Sequence, residues 1–223
     1  MAITGDDQEE RSRVIQVDTG HHAEPPGARS QRPLSLLLRQ ESAADHVGLE
    51  HKIGPMQDSL SRDRYATMLL MFKALHGLTE ALHETFSSDY ETHGFAAPRR
   101  GLDAAIDRDL AALGWPQKGR DPVAIPLDPY PAFAQALGAV YVAEGSALGN
   151  ALLLRQAETW GEATPGAATA FLSESASQSG ARFRAFRSRL DAFGLERPDA
   201  HDAVLDGARH TFRACGALID ALR

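Results

Sequence analysis

A single cysteine, Cys215, in a chain of 223 residues excludes an internal disulfide, a multi-cysteine zinc site and iron-sulfur ligation by this chain alone. It fits a reducing compartment. No uncharged apolar run comes near the ~18 to 20 residues of a membrane helix. The opening MAITGDDQEERSR lacks the basic-then-apolar order of a secretory signal, so a cytoplasmic protein with no membrane insertion is expected. Valine and isoleucine are too sparse and scattered to supply a sheet. No Gly-rich dinucleotide fingerprint follows a strand, so any redox chemistry needs electrons from elsewhere. The net charge of -7 repels phosphate backbones and disfavours nucleic-acid binding. The one local basic cluster is Arg182, Arg184, Arg187 and Arg189.

What remains is ordinary globular composition, 43% hydrophobic and 24% charged, enough for one domain and a tail. Residues 1–32 mix acids, glycines and prolines around one short apolar stretch and are expected to be disordered; His21 and His22 within them read as solvated. Residues 33–223 carry helical periodicity nearly throughout, which predicts a single all-α domain. The spacing predicts a helix from Leu34 to Ile53 stopped by Gly54-Pro55, and a long one from about Ser59 carrying Tyr65 to Phe86. A third carries Leu102 to Leu113 and closes at Gly114. After a proline-rich loop a helix starts near Pro131 and runs towards Trp160. A small-residue connection, Pro165 to Gly180, precedes a basic helix closed by Gly194. Pro198 opens the last helix, whose apolar face holds Val204, Phe212, Cys215, Ile219 and Leu222.

Two local features carry chemical interest. In YVAEGSALGN, Gly145 and Gly149 stand four apart inside a well-patterned helix, each costing about 1 kcal/mol against alanine. They bare one stripe of backbone, against which either another helix or a planar ligand can lie. In LRQESAADHVGLE, His46 has Glu50 one turn later. Such a carboxylate can accept the second ring N–H of a metal-ligating histidine, although the same pair also occurs on plain helix surfaces.

These two motifs together with FRSRL resemble the heme oxygenases, most closely the bacterial group paired with phytochromes, in the family's order from about Leu34 to Arg223. The resemblance implies an all-helical fold in which heme lies between a proximal helix and a kinked distal helix. It implies His46 as the iron ligand with Glu50 as its partner, and Gly145, Ser146 and Gly149 as the catalytic distal wall. Arg187, with Arg184 as a weaker neighbour, would hold a heme propionate. The implied reaction uses heme as cofactor and substrate, with O2 and an external donor such as a ferredoxin or flavin reductase. Its products are biliverdin, CO and ferrous iron, and a bacteriophytochrome is the implied recipient of biliverdin.

This chain departs from the group's YVLEGSTLGG at Ala143, Ala147 and Asn150. Asn150, in place of the last glycine, is counted among the residues expected at the cofactor, where its amide would alter the distal water network. Ser146 stands where animal members carry an aspartate. Two other readings stay open: a non-catalytic heme-binding module on the same scaffold, and a di-iron oxidase built on the Glu80-x-x-His83 unit, for which no second unit is found after Leu34. Cys215, on an apolar helix face, reads as inert packing.

Overall fold

The computed structural model describes residues 32–53, 61–116, 124–157 and 168–223. The expected disordered tail and the His21-His22 pair lie outside these residues, apart from Arg32, as do the Gly54-Pro55 stop and Trp160. Helices α1 (Leu34–Glu41), α2 (Ala43–Ile53), α3 (Arg62–Thr85), α4 (Ser87–Thr92), α5 (Leu102–Ala112), α6 (Phe133–Ala157), α7 (Ala170–Ala176), α8 (Ser179–Glu196) and α9 (His201–Ala221) follow in order, and the described residues contain no strand.

The predicted first helix is two helices. At Ser42 the hydroxyl donates to the Leu38 carbonyl at 2.6 Å, and the chain leaves helical dihedrals there before resuming. Helix α3 is the central element, burying Tyr65, Met68, Leu69, Phe72, Leu75, Leu78 and Leu82. Its start is fixed by Ser61, whose hydroxyl accepts from the Arg64 amide. Gly114 takes the left-handed conformation expected of it, at φ +62°.

Two further expectations are corrected. The connection from Pro165 to Gly180 contains α7, which no periodicity announces because tertiary contacts make it: Asp109 of α5 accepts the Ala170 and Phe171 amides at 2.9 and 2.8 Å. Tyr65 of α3 donates to the Ala168 carbonyl beside them. Gly194 does not close α8 but sits within it, because a Cβ there would meet Leu34 Cβ at 2.8 Å. Helix α6 is long and apolar enough to cross a membrane by length and composition, although Glu144 breaks its uncharged run. More than half of that window is buried inside the fold, as in the core helix of a globular domain.

The α6 and α9 helices form the closest pairing in the fold. At their crossing a Cβ on Gly138 would stand 2.2 Å from the Val204 carbonyl oxygen, and one on Gly207 2.1 Å from the Gln135 carbonyl oxygen. Glycine on both helices lets the backbones touch. Helix α2 also lies along α9, yet α2 and α6 share no substantial interface of their own. The short α4 belongs to an aromatic cluster in which Tyr90 and Phe95 pack on Phe133, with Phe193 closing the other side.

Candidate functional site

Helix α6 has two unlike faces. Val140, Ala143, Glu144, Ala147 and Asn150 form its buried stripe. Tyr141, Gly145, Leu148, Gly149 and Leu152 form the other, on which Leu148 and Leu152 remain 42% and 49% exposed. A Cβ on Gly149 would meet nothing within 4 Å, and one on Gly145 only the edge of Phe183 at 3.7 Å. The glycines of this one helix therefore separate: Gly138 serves close backbone packing, Gly145 lies under the Phe183 ring edge, and Gly149 bares backbone to open space.

His46 and Glu50 are brought together as expected, Nδ1 to Oε1 at 3.7 Å, with both side chains more than half exposed. The imidazole stands edge-on to Phe212 of α9, ring centroids 5.5 Å apart. Helix α2 has no fully buried residue, and Val47, next to His46, is exposed. Val47 and the accessible imidazole of His46 on α2, and Leu148 and Leu152 on α6, are thus exposed groups on two helices that each pack on α9.

Arg187 links α8 to α1. Its Nε donates to Ser35 Oγ of α1 at 3.3 Å, and its guanidinium lies 5.8 Å from the Phe183 ring centre. Burial pushes the Tyr141 hydroxyl above its usual range, while the nearby positive charges of Arg187 and Arg39 pull it back. Asp191 accepts from the Ser35 amide at 2.7 Å and from its hydroxyl at 3.0 Å, tying α8 to the first turn of α1. Sequence reasoning missed Tyr141, Phe183 and Arg39. Tyr141 had a signal, standing one turn before Gly145 on the same stripe; Phe183 had one in being one turn before Arg187.

The other expected residues are placed elsewhere. Arg184 is exposed beside Gly180, apart from the Arg187 group. Ser146 donates its hydroxyl to the Ala143 carbonyl of its own helix at 2.7 Å. Asn150 belongs to the buried stripe, and its amide donates to Ser175 Oγ of α7 at 2.9 Å. The remaining arginines of the basic cluster are engaged separately, Arg182 with Glu144 and Arg189 with Glu196 and the His93 carbonyl.

Behind the buried stripe is a small pocket lined by His76, Thr79, Pro98, Arg99, Val140, Ala143, Glu144 and Ala147. Burial, with the Arg99 charge adding to it, lowers the His76 pKa to about 4. Glu80 and His83 line a separate groove with Glu84, Pro98, Arg100 and Gly101. No group of three or more His, Cys, Asp or Glu fit to hold a metal ion occurs among the described residues. Cys215 is fully buried, and burial pushes its thiol up to about 12.

Comparison with known proteins bears on this arrangement. The family model described as heme oxygenase matches residues 127–221, a stretch somewhat short of half the chain that includes α6 and α9. A search of curated proteins finds no match. Among solved structures, the NO- and CO-bound heme oxygenase from Neisseria meningitidis superposes with a TM-score of 0.60 at 22% identity, covering 85% of this chain and 92% of that one. The chain has the all-α fold of the heme oxygenases.

Proposed function

We propose that this protein is a heme oxygenase that takes heme onto the surface shared by α2 and α6 and converts it, with O2 and electrons from a separate ferredoxin-type or flavin-linked donor, to biliverdin, CO and ferrous iron. The observation that carries this reading is the division of the α6 glycines: Gly149 faces open space and Gly145 meets only the rim of Phe183, beside exposed leucines on a face that a flat apolar molecule would cover.

The residues present fit that group. His46 turns Nδ1 towards Glu50 at 3.7 Å and leaves Nε2 as the nitrogen for iron; a small approach of the carboxylate would give Nδ1–H an acceptor and so favour that tautomer. Phe212, edge-on, limits rotation of the ring. Arg187, with Arg39 and Tyr141 beside it, offers a cationic edge for propionates, and Ser35 holds the Arg187 side chain in place. When bound, heme supplies the iron at which O2 is activated and is itself the ring that is opened. The protein's part is to ligate, orient and keep the distal side free of side chains, which Gly145 and Gly149 do by having none. The Ser146 hydroxyl, held by the Ala143 carbonyl, keeps its oxygen lone pairs for a hydrogen bond from water. A bacteriophytochrome as recipient of biliverdin belongs to this proposal through the motif resemblance, and a cytoplasmic setting through the single cysteine.

The test is hemin titration followed by turnover. The protein should give a Soret band on binding one heme, which His46→Ala changes or abolishes. With ascorbate or a ferredoxin system the band should decay as biliverdin absorbance and CO appear. Heme bound through His46 that stays intact under conditions supporting a control oxygenase would leave a binding module. No heme binding at all would remove the reading.

A further inference from the structure

The open glycine segment of α6 is held at both ends from behind. Glu144 immediately precedes Gly145, and Asn150 immediately follows Gly149; both belong to the buried stripe, at 7% and 1% exposure. The Glu144 carboxylate accepts from Arg182 of α8, Nη2 to Oε1 at 2.7 Å and Nε to Oε2 at 3.4 Å. Arg182 also donates to the Ala97 carbonyl at 3.0 Å. At the other end Asn150 donates to Ser175 Oγ, and the carbonyl of that same Ser175 accepts from Arg99 Nη1 at 2.7 Å. Arg99 further takes the Glu174 and Ser177 carbonyls, gathering the C-terminal end of α7. Ala97 and Arg99 lie in one short connection between α4 and α5, so a single piece of chain anchors both fastenings.

The energetics favour a mechanical role. A half-buried ion pair with bidentate geometry and a buried amide–hydroxyl bond are each costly to break, because the partner left behind is desolvated. Between them Gly145 to Gly149 is the stretch where helix propensity is weakest. Asn150 is also this chain's own departure from the motif it resembles, in which a glycine would make no such bond.

We infer that Glu144 and Asn150, with Arg182, Ser175 and Arg99 as their partners, are positioning residues that pin the two ends of the glycine segment and so set how far the distal wall can move towards or away from a ligand. The inference rests on the reading of that face given under Proposed function. It concerns residues that do not touch the ligand, and it can be tested without one.

Hydrogen exchange on the heme-free protein is the first measurement. In Asn150→Ala the amides of residues 145–151 should exchange about tenfold faster or more, while those of Val204 to Ala208 on α9 keep their wild-type protection. Ser175→Ala should reproduce the effect, and the double variant should add little to either single change. At the other end, Arg182→Ala should loosen the segment and the swap Glu144→Arg with Arg182→Glu should restore part of the protection. The second measurement uses the heme complex: Asn150→Ala should leave hemin affinity within about twofold while turnover per bound heme falls several-fold, a split that general loss of stability does not produce. Unchanged exchange in both Asn150→Ala and Ser175→Ala overturns the clamp, whatever heme does. A wild-type protein that binds no heme overturns the functional reading, while the exchange data still decide the clamp.

Discussion

Replacing Gly138 by alanine isolates the α6–α9 crossing. The added methyl would lie 2.2 Å from the Val204 carbonyl oxygen, 2.4 Å from the Ala208 nitrogen and 2.9 Å from the Gly207 carbonyl carbon. All three are backbone atoms of a regular helix, so no rotamer change relieves the clash and the helices must separate by roughly 1 Å to restore normal contact. Overpacking of this kind costs about 1–3 kcal/mol, and separation also loosens the apolar contacts along the rest of the crossing. Alanine returns about 1 kcal/mol through helix propensity. The net expectation, with the loosened contacts added, is a loss of about 1–2 kcal/mol, a fall of about 2–8 °C in Tm for a domain of this size. Gly77 supplies the control. It is exposed in the middle of α3 with nothing within 4 Å of a built Cβ, so Gly77→Ala should gain up to about 1 kcal/mol. Thermal and urea unfolding followed by helical circular dichroism measure both. A Gly138→Ala protein that melts at or above the wild type would refute the close crossing and with it the argument that the α6 glycines have separate roles.

Three further outcomes are expected. His76 is buried as the neutral ring, its pKa lowered from 6.5 to about 4, so the unfolded chain takes up the proton first; the stabilisation is complete above about pH 6.5 and is lost as pH falls towards 4, by about 3 kcal/mol. Unfolding across that window should show this slope in the wild type and lose it in His76→Gln, and identical pH dependence in the two would exclude His76 as its source. Gly149→Leu should keep or raise the melting temperature, since the site is open, yet block turnover with His46 ligation intact; full activity would place the reacting face elsewhere. Arg187→Ala should shift the biliverdin isomer ratio or weaken hemin binding with little effect on melting, because its contact with Ser35 is long and only partly buried; unchanged isomers and affinity would remove it from the site.

Local physics made much of this molecule legible from its sequence. Helical class follows from apolar spacing and the scarcity of strand formers, the left-handed turn at Gly114 from a glycine placed before a proline, and the His46–Glu50 pair from two residues one helical turn apart. The resemblance of three motifs, in their order along the chain, to the heme oxygenases was likewise readable, and the fold agrees with it. What needed tertiary structure is whatever depends on a partner distant in sequence. Gly138, Gly145 and Gly149 look alike as interruptions of one helix, and only the position of α9 separates the packed glycine from the other two. Asn150 reads as a cofactor contact from its place in the motif, but its azimuth on α6 turns it to Ser175, 25 residues on. Helix α7 has too few residues to show a period and exists because Asp109, 61 residues before Ala170, caps it. Spacing specifies which face of a helix a residue occupies; it cannot specify what that face meets, because the partner is chosen by how all the helices pack at once.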